Sequence, residues 1–154
     1  MLGNERWLAW YAQARMHARL IEVMAAEQER RTGLPAAWFD VLAHLAPNDR
    51  VRMNELADEL VVSRGGATRL VARMEEAGLV RRETPPSDRR ATFAVITDEG
   101  RAAIERAVPV HLELVEEAFG RHLEPGDVET LLAVAERVST AQGWPVKTLA
   151  ESQA

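Results

Sequence analysis

The sequence predicts a mostly α-helical chain with one small β-hairpin. Three observations lead there. Apolar residues recur at helical spacing through most of the 154 residues. The exception is residues 79–97, where LVRRET and ATFAVIT flank the turn signal Pro85-Pro86-Ser87-Asp88. Just before it, NELADELVVSRGGATRLVARMEEAGLV reads as two short helices joined by a tight turn.

Residues 5–31 form the first expected helix. Trp7, Leu8, Trp10, Tyr11, Ala14, Met16, Ala18, Leu20, Ile21, Met24 and Ala25 spread around much of its circumference. A helix apolar on more than one side must be buried on more than one side. In a chain this short, a second subunit is the natural partner. Gly33 ends the helix at the usual left-handed position.

Pro35 opens the second helix at its first turn, with Trp38, Val41, Leu42 and Leu45 at helical spacing. Pro47-Asn48-Asp49 closes it, and Arg50 to Met53 suit a short strand. Asn54 is the expected N-cap of the third helix, with Leu56, Ala57, Leu60 and Val61 as one apolar face. Ser63 caps the fourth, whose buried stripe is Ala67, Leu70, Val71 and Met74 and which stops at Gly78. The hairpin strands follow at Leu79–Thr84 and Ala91–Thr97. Thr97 or Asp98 caps a fifth helix that runs to about Gly120, with Pro109 expected to kink it. Glu124-Pro125 starts the last helix, apolar at Leu131, Leu132, Val134, Ala135 and Val138. Beyond Gly143 the chain is expected to be irregular, with Trp144 and Val146 packing.

Composition narrows the function. Hydrophobic content of 47% and charged content of 28% are ordinary for a globular domain. No apolar run is long enough to span a membrane, and the N-terminus lacks the order of a signal peptide. There is no cysteine, hence no disulfide, thiolate metal site or thiol switch. These features favour the cytoplasm. A single Tyr, four scattered His and no nucleophile motif offer nothing like an active site, and no cofactor is called for.

The net charge of −5 is unevenly spread. Residues 63–92 hold seven arginines (64, 69, 73, 81, 82, 89, 90) against four acids, a local +3 on a body of −8. Local charge is what a polyanion meets.

Two helices, a tight turn and a hairpin describe a winged helix–turn–helix, whose second helix enters the DNA major groove. With 67/70/71/74 facing inward, the opposite face centres on Gly65, Arg69, Ala72 and Glu76, flanked by Gly66, Thr68 and Arg73. The N-terminal half of that face carries no bulk and no carboxylate. Arg69 and Arg73 suit guanine, and Thr68 a base edge. Ser63, Arg64 and the first backbone N–H groups suit phosphate. Arg89 and Arg90, at the tip of the hairpin loop, suit a narrow minor groove, with Asp88 orienting one of them. A winged helix used only for protein contacts is the competing reading.

The sequence resembles the MarR family of bacterial transcription regulators. The resemblance rests on LPAAWFDVLAHLA, MNELADELVVSRGGATRLVARMEEAGLVRRE and SDRRATFAVITDEGR. Asp88 and Arg90 match the Asp-x-Arg of the family's wing, while Ile96-Thr97 stands where the family has Leu-Thr. The resemblance implies one domain over 1–154, with residues 34–97 as the winged lobe and 1–33 and 98–154 as dimerisation helices. It implies a homodimer on a pseudo-palindromic promoter site in double-stranded DNA, usually as a repressor. The family's contacts map onto Ser63, Arg64, Gly65, Gly66, Thr68, Arg69, Arg73, Arg89 and Arg90.

The resemblance also implies release by a small, often aromatic or phenolic, effector. Tyr11, Arg15, His17, Trp38, His44 and His111 are the candidate pocket residues, since aromatic walls with a few polar groups suit an aromatic anion. A metal-sensing branch of the family suggests an alternative built on His44 and His111 with Glu22 or Glu113. Against it, no helix carries a His-x3-His pair and cysteine is absent.

Overall fold

The computed structural model describes residues 4–86, 88 and 91–143. Arg89, Arg90, Trp144 and Val146 lie outside the described residues. The chain divides into two compact units, residues 1–115 and 116–154.

The first unit contains α1 (Glu5–Thr32), α2 (Ala36–Leu45), β1 (Arg50–Arg52), α3 (Met53–Glu59), α4 (Arg64–Glu76), β2 (Val80–Glu83), β3 (Phe93–Ile96) and most of α5 (Asp98–Ala118). Asn4 caps α1, its side chain accepting from the Arg6 N–H at 2.9 Å. Gly33, at φ 70°, ends it and donates its N–H to the Glu29 carbonyl. Pro35 is the residue before α2 rather than its first member. The first turn is the only place its missing N–H goes unnoticed.

Asn54 is not the cap of α3. The helix starts one residue earlier, at Met53, behind Arg52. The reason is the sheet: Met53 N–H donates to the Thr92 carbonyl at 2.9 Å, so strand pairing fixes where the chain turns into the helix. Val61 also departs from expectation. It is 90% exposed, at φ 52°, rather than part of the α3 apolar face. The turn between α3 and α4 needs a left-handed residue there, a conformation that strains a β-branched side chain.

The hairpin becomes a three-stranded antiparallel sheet in the order β1-β3-β2. Arg50 pairs with Val95 and Arg52 with Phe93; on the other side Arg81 pairs with Val95 and Arg82 with Ala94. The strands are shorter than the apolar runs suggested, and β3 does not alternate. Ala94, Val95 and Ile96 are all buried because β3 is the central strand. Its inner face joins the core, while Arg50 and Arg52 lay their guanidiniums over Phe93 on the outer face at 5.1 and 5.3 Å.

The core gathers Leu34, Phe39, Val41, Leu42, Leu45, Leu56, Val71, Met74, Val80, Ala94, Ile96, Ile104 and Ala107. Every element from α2 to α5 contributes to it. At its edge, the first turn of α5 packs against the end of the α4–β2 connection. Thr97 Oγ1 donates to the Gly78 carbonyl at 2.7 Å and accepts from the Gly100 N–H at 3.1 Å. Thr97, rather than Asp98, therefore caps α5. The helix runs unbroken across Pro109.

The second unit holds the end of α5, a short 3-10 turn (Gly120–His122) and α6 (Asp127–Gln142). The α6 helix starts later than Glu124-Pro125 because Asp127 Oδ2 accepts from the Glu124 N–H at 2.8 Å, making a turn of that segment first.

Gly100 shows how tight the α5 junction is. A Cβ there would overlap the Leu79 carbonyl oxygen and crowd Ile96 and Leu42. Gly100→Ala should destabilise the fold by about 3 kcal/mol, the upper end of ordinary overpacking costs. Urea unfolding followed by circular dichroism checks it; a midpoint equal to wild type refutes the close approach.

Candidate nucleic-acid interface

The α4 helix has two faces of opposite character. Ala67, Val71 and Met74 are fully buried, and Leu70 is half-buried. Ser63, Arg64, Gly65, Thr68, Arg69 and Arg73 are exposed, and Gly66 is half-buried. Ser63 is the N-cap, its Oγ accepting from the Gly66 N–H at 3.1 Å. Thr68 Oγ1 donates back to the Arg64 carbonyl at 2.9 Å. Among the described residues no carboxylate pairs with Arg64, Arg69 or Arg73. The exposed N-terminal half of α4 thus offers two cations, a hydroxyl and bare backbone, with the third cation, Arg73, in the last turn.

The two glycines differ in role. A Cβ on Gly66 would sit 3.2 Å from Ser63 Oγ and 3.7 Å from Val62 Cβ, crowding the cap itself. A Cβ on Gly65 would meet only the end of Arg69, at 3.5 Å. A side chain at Gly66 would press on the cap, whereas one at Gly65 would meet only ordinary contact with the flexible end of Arg69.

In the hairpin loop, Asp88 donates its N–H to the Pro85 carbonyl at 3.1 Å, and its carbonyl accepts from Ala91 N–H at 3.1 Å. These bonds draw Pro85, Asp88 and Ala91 together. At its base the arginines are held by acids. Glu75, on α4, accepts from Arg82 through both backbone N–H (2.8 Å) and Nε (2.7 Å). Those bonds hold the Glu75 carboxyl below its ordinary range. Arg81 Nε donates to Glu83 at 2.8 Å.

Between α4 and the hairpin base lies a cleft of about 260 Å³, lined by Arg52, Met53, Asn54, Thr68, Arg82, Ala91 and Thr92. Of these the sequence singled out only Thr68 for DNA contact. Arg52, Asn54 and Arg82 were missed because they lie on three separate elements, and only strand register brings them together.

The six effector candidates do not converge within one chain. Tyr11 stacks on Trp7 with centroids 5.0 Å apart, and Arg15 lies 5.7 Å above its ring. That cluster is about 25 Å up α1 from Gln28, at 1.5 Å per residue. His17 lies on the same exposed stretch. Trp38 packs half-buried against the core. His44 bonds the Asp40 carbonyl through Nδ1 at 2.8 Å, and its Nε2 is 3.8 Å from Glu59. Only His111 enters a buried polar group. It stacks on Phe39 at 4.4 Å and bonds Gln28 Oε1 through Nδ1 at 2.7 Å. Gln28 is 2% exposed, and its Nε2 finds no partner among the described residues. Burial depresses the His111 pKa, with Asp40 pulling it back up; burial likewise raises that of Asp40.

The carboxylates proposed for a metal site are engaged elsewhere. Glu22 pairs with Arg19, and Glu113 with Arg31. Among the described residues no group of three His, Asp or Glu side chains converges as metal ligands would.

Comparison with known proteins points one way. The sequence model described as MarR family matches residues 32–91. Sco3205, a MarR family transcriptional regulator from Streptomyces coelicolor solved in complex with DNA, is similar at 32% identity. The match covers 92% of this chain and 89% of that one, with a TM-score of 0.83. AbsC, a MarR family transcriptional regulator from the same organism, matches at 28% identity over 92% and 97% of the two chains, again with a TM-score of 0.83. The transcriptional regulator HosA of Escherichia coli O111:H- is 32% identical over 94 residues, 61% of this chain and 70% of its own length.

Gly65→Leu should leave the melting temperature within about 2 °C of wild type, because the added side chain points into open space at a surface site, yet abolish binding to a specific DNA site. Arg69→Ala should cost about 1–3 kcal/mol on that site and much less on random DNA. Equal losses on both would remove Arg69 from base recognition. Fluorescence anisotropy with both duplexes measures each effect.

His111 yields a pH prediction. Its folded pKa lies below the ordinary 6.5, so the unfolded chain takes up the proton more readily. The stability from keeping it neutral is complete above 6.5 and is lost as pH falls through the lowered folded value. Asp40, raised above 3.8, has the opposite sign: its contribution is complete below 3.8 and lost as pH rises through the raised value. Unfolding free energy should therefore decline between about pH 7 and pH 5, and His111→Gln should flatten that decline. An unchanged slope in the variant would assign the pH dependence to other groups.

Proposed function

The chain belongs to the MarR family of DNA-binding transcriptional regulators, and we propose that it works in the cytoplasm as a homodimeric repressor. It reads a pseudo-palindromic promoter site and leaves it when a small aromatic effector binds. The observation that carries this reading is the two-faced α4. Three fully buried side chains anchor it, and its exposed face presents Ser63, Arg64, Gly65, Thr68 and Arg69 from its start, with Arg73 in its last turn. Such a helix suits a major groove, with Arg69 and Arg73 toward base edges and Ser63 and Arg64 toward phosphate. Gly66 keeps the cap in shape, and Asp88, Arg89 and Arg90 serve the adjacent minor groove.

The apolar surface supports the dimer. Trp7, Leu8, Trp10, Tyr11, Met16, Ile21 and Val23 of α1 are all exposed, Trp10 by 64%. In the other unit, α6 exposes Val128, Leu131, Leu132, Val134 and Val138 and buries no residue at all. Apolar area on this scale marks an interaction surface, and most of α1 is exposed among the described residues. For the effector, the buried Gln28 amide lacking a partner beside His111 and Phe39 is a group that a ligand acceptor would satisfy. No helix among the described residues is long and apolar enough to cross a membrane.

Titration of the promoter fragment beside its own gene, at two salt concentrations, tests the reading. The logarithm of affinity should fall by about 0.9 per phosphate contacted for each log unit of salt. Sedimentation should give twice the 17.1 kDa chain mass. Weak, salt-insensitive association would indicate a protein-interaction module, and a monomer would remove the palindromic site. In a thermal-shift screen of aromatic acids, an effector should raise the melting temperature and release the DNA. A stabilising acid that leaves the complex intact would refute the release step.

A further inference from the structure

The cleft between α4 and the hairpin has a place in this reading. A duplex alternates major and minor grooves, and the ridge between them is one sugar–phosphate backbone. A protein that sets a helix in the major groove and a hairpin loop in the adjacent minor groove straddles that ridge. The surface between α4 and the hairpin is the cleft. Thr68, on the exposed side of α4, forms one wall, and Ala91 and Thr92, leading out of the hairpin loop, form another.

We propose that this cleft is a phosphate seat, in which Arg52 and Arg82, with the Asn54 amide, hold one backbone phosphate of the strand between the two grooves. The inference rests on the DNA-binding reading above and adds to it residues outside the recognition helix and the loop tip.

Both guanidiniums are held before any ligand arrives. Arg52 lies 5.3 Å over the Phe93 ring, on the last paired residue of β1. Arg82 is held by Glu75 Oε2 through its Nε at 2.7 Å and one Nη at 2.6 Å, so that its other Nη is the group offered to a phosphate. The Glu75 carboxylate uses both its oxygens on Arg82, one on the backbone N–H and one on the guanidinium. It is not among the residues lining the cleft. A guanidinium fixed in direction loses less side-chain freedom when it takes up a phosphate oxygen, and its planar fork matches that geometry. Asn54, in the first turn of α3, is exposed, and among the described residues no bond occupies its amide. Thr68 contributes shape rather than a proton, since its hydroxyl already donates to Arg64.

Phosphate contacts position without reading sequence, and this gives the test its signature. Arg52→Gln should lower the slope of log affinity against log salt by about 1, equally on specific and random DNA. Arg52→Lys should restore the slope, since the charge alone releases the counterion. Asn54→Ala should weaken binding with the slope unchanged, and it keeps the proposal testable should an arginine variant unfold. A duplex with one neutral methylphosphonate stepped along the backbone should reveal a position that weakens wild type and not Arg52→Gln. A wild-type slope in folded Arg52→Gln together with wild-type affinity in Asn54→Ala, with no such position, would overturn the seat while leaving the DNA-binding reading standing. If wild type binds no promoter fragment at any salt, it is the broader reading that falls. Binding of inorganic phosphate to the free protein that Arg52→Gln abolishes, with the DNA slope unchanged, would assign the cleft to a free anion and also overturn the proposal.

Discussion

The contact on which the DNA-binding lobe depends is the seam where α5 begins. Three consecutive pieces of chain meet there: the end of α4 at Gly78, the entry to β2 at Leu79, and the first turn of α5. Thr97 N–H donates to the Leu79 carbonyl at 3.2 Å, its hydroxyl donates to the Gly78 carbonyl, and Gly100 leaves room for that backbone to come close. One side chain thereby satisfies a helix N-terminus and an otherwise spare carbonyl at a helix C-terminus. Because β2 and β3 both end at this seam, the hairpin leaves the lobe in a direction set by α4. The spacing between recognition helix and hairpin is thus fixed by backbone bonds, not by flexible side chains. That rigidity fixes the hairpin relative to α4 more firmly than any single side-chain contact would.

Much of this was legible in the residues. The helix periods, the Ser63 cap, the left-handed glycines at 33 and 78 and the inward stripe of α4 all follow from local rules, and the structure keeps them. What escaped was set by distant pairing. The start of α3 moved because Met53 is tied to Thr92, thirty-nine positions along the chain from it. Burial on β3 lost its alternation because two arginines of β1 roof the outer face. Val61 looked like core by its spacing, yet the turn needed a left-handed residue there regardless of side chain. The cleft was unreadable for the same reason, since Arg52, Asn54 and Arg82 carry no shared spacing. The buried Gln28 could have been noticed as a polar residue on an otherwise apolar helix face, but its partner His111 lies 83 positions away.

The charged residues divide into two populations. One holds the scaffold. Glu27 bonds Arg30 and Arg31, which hold its carboxyl down at about 2, and Arg31 reaches on to Glu113 of α5. Glu75 fixes Arg82, and Arg101 bridges to the Ala46 carbonyl and Asp49. These exposed pairs contribute little stability, but they fix directions. The other population, Arg64, Arg69 and Arg73, makes no ion pair among the described residues. Its charges are left to whatever approaches. An acidic chain with such a patch repels nucleic acid over most of its surface and attracts it on one side, which orients the encounter.

That division also explains a helix that begins with Arg-Gly-Gly. Glycine costs roughly 1 kcal/mol against alanine in a helix interior, and α4 spends two near its start. Burying Val71 and Met74 completely contributes about 1.5–3 kcal/mol each, so the inner face more than offsets that weakness. Stability on α4 comes from one side, and the other is released from any structural duty. Only on such a helix can two neighbouring glycines part roles as Gly65 and Gly66 do. A side chain on the second would crowd Ser63 Oγ, which caps the helix. One on the first would meet only the flexible end of Arg69, at ordinary contact distance. A bare residue on the outward face leaves the backbone at the start of α4 open to close approach from outside, which is the role proposed above for Gly65.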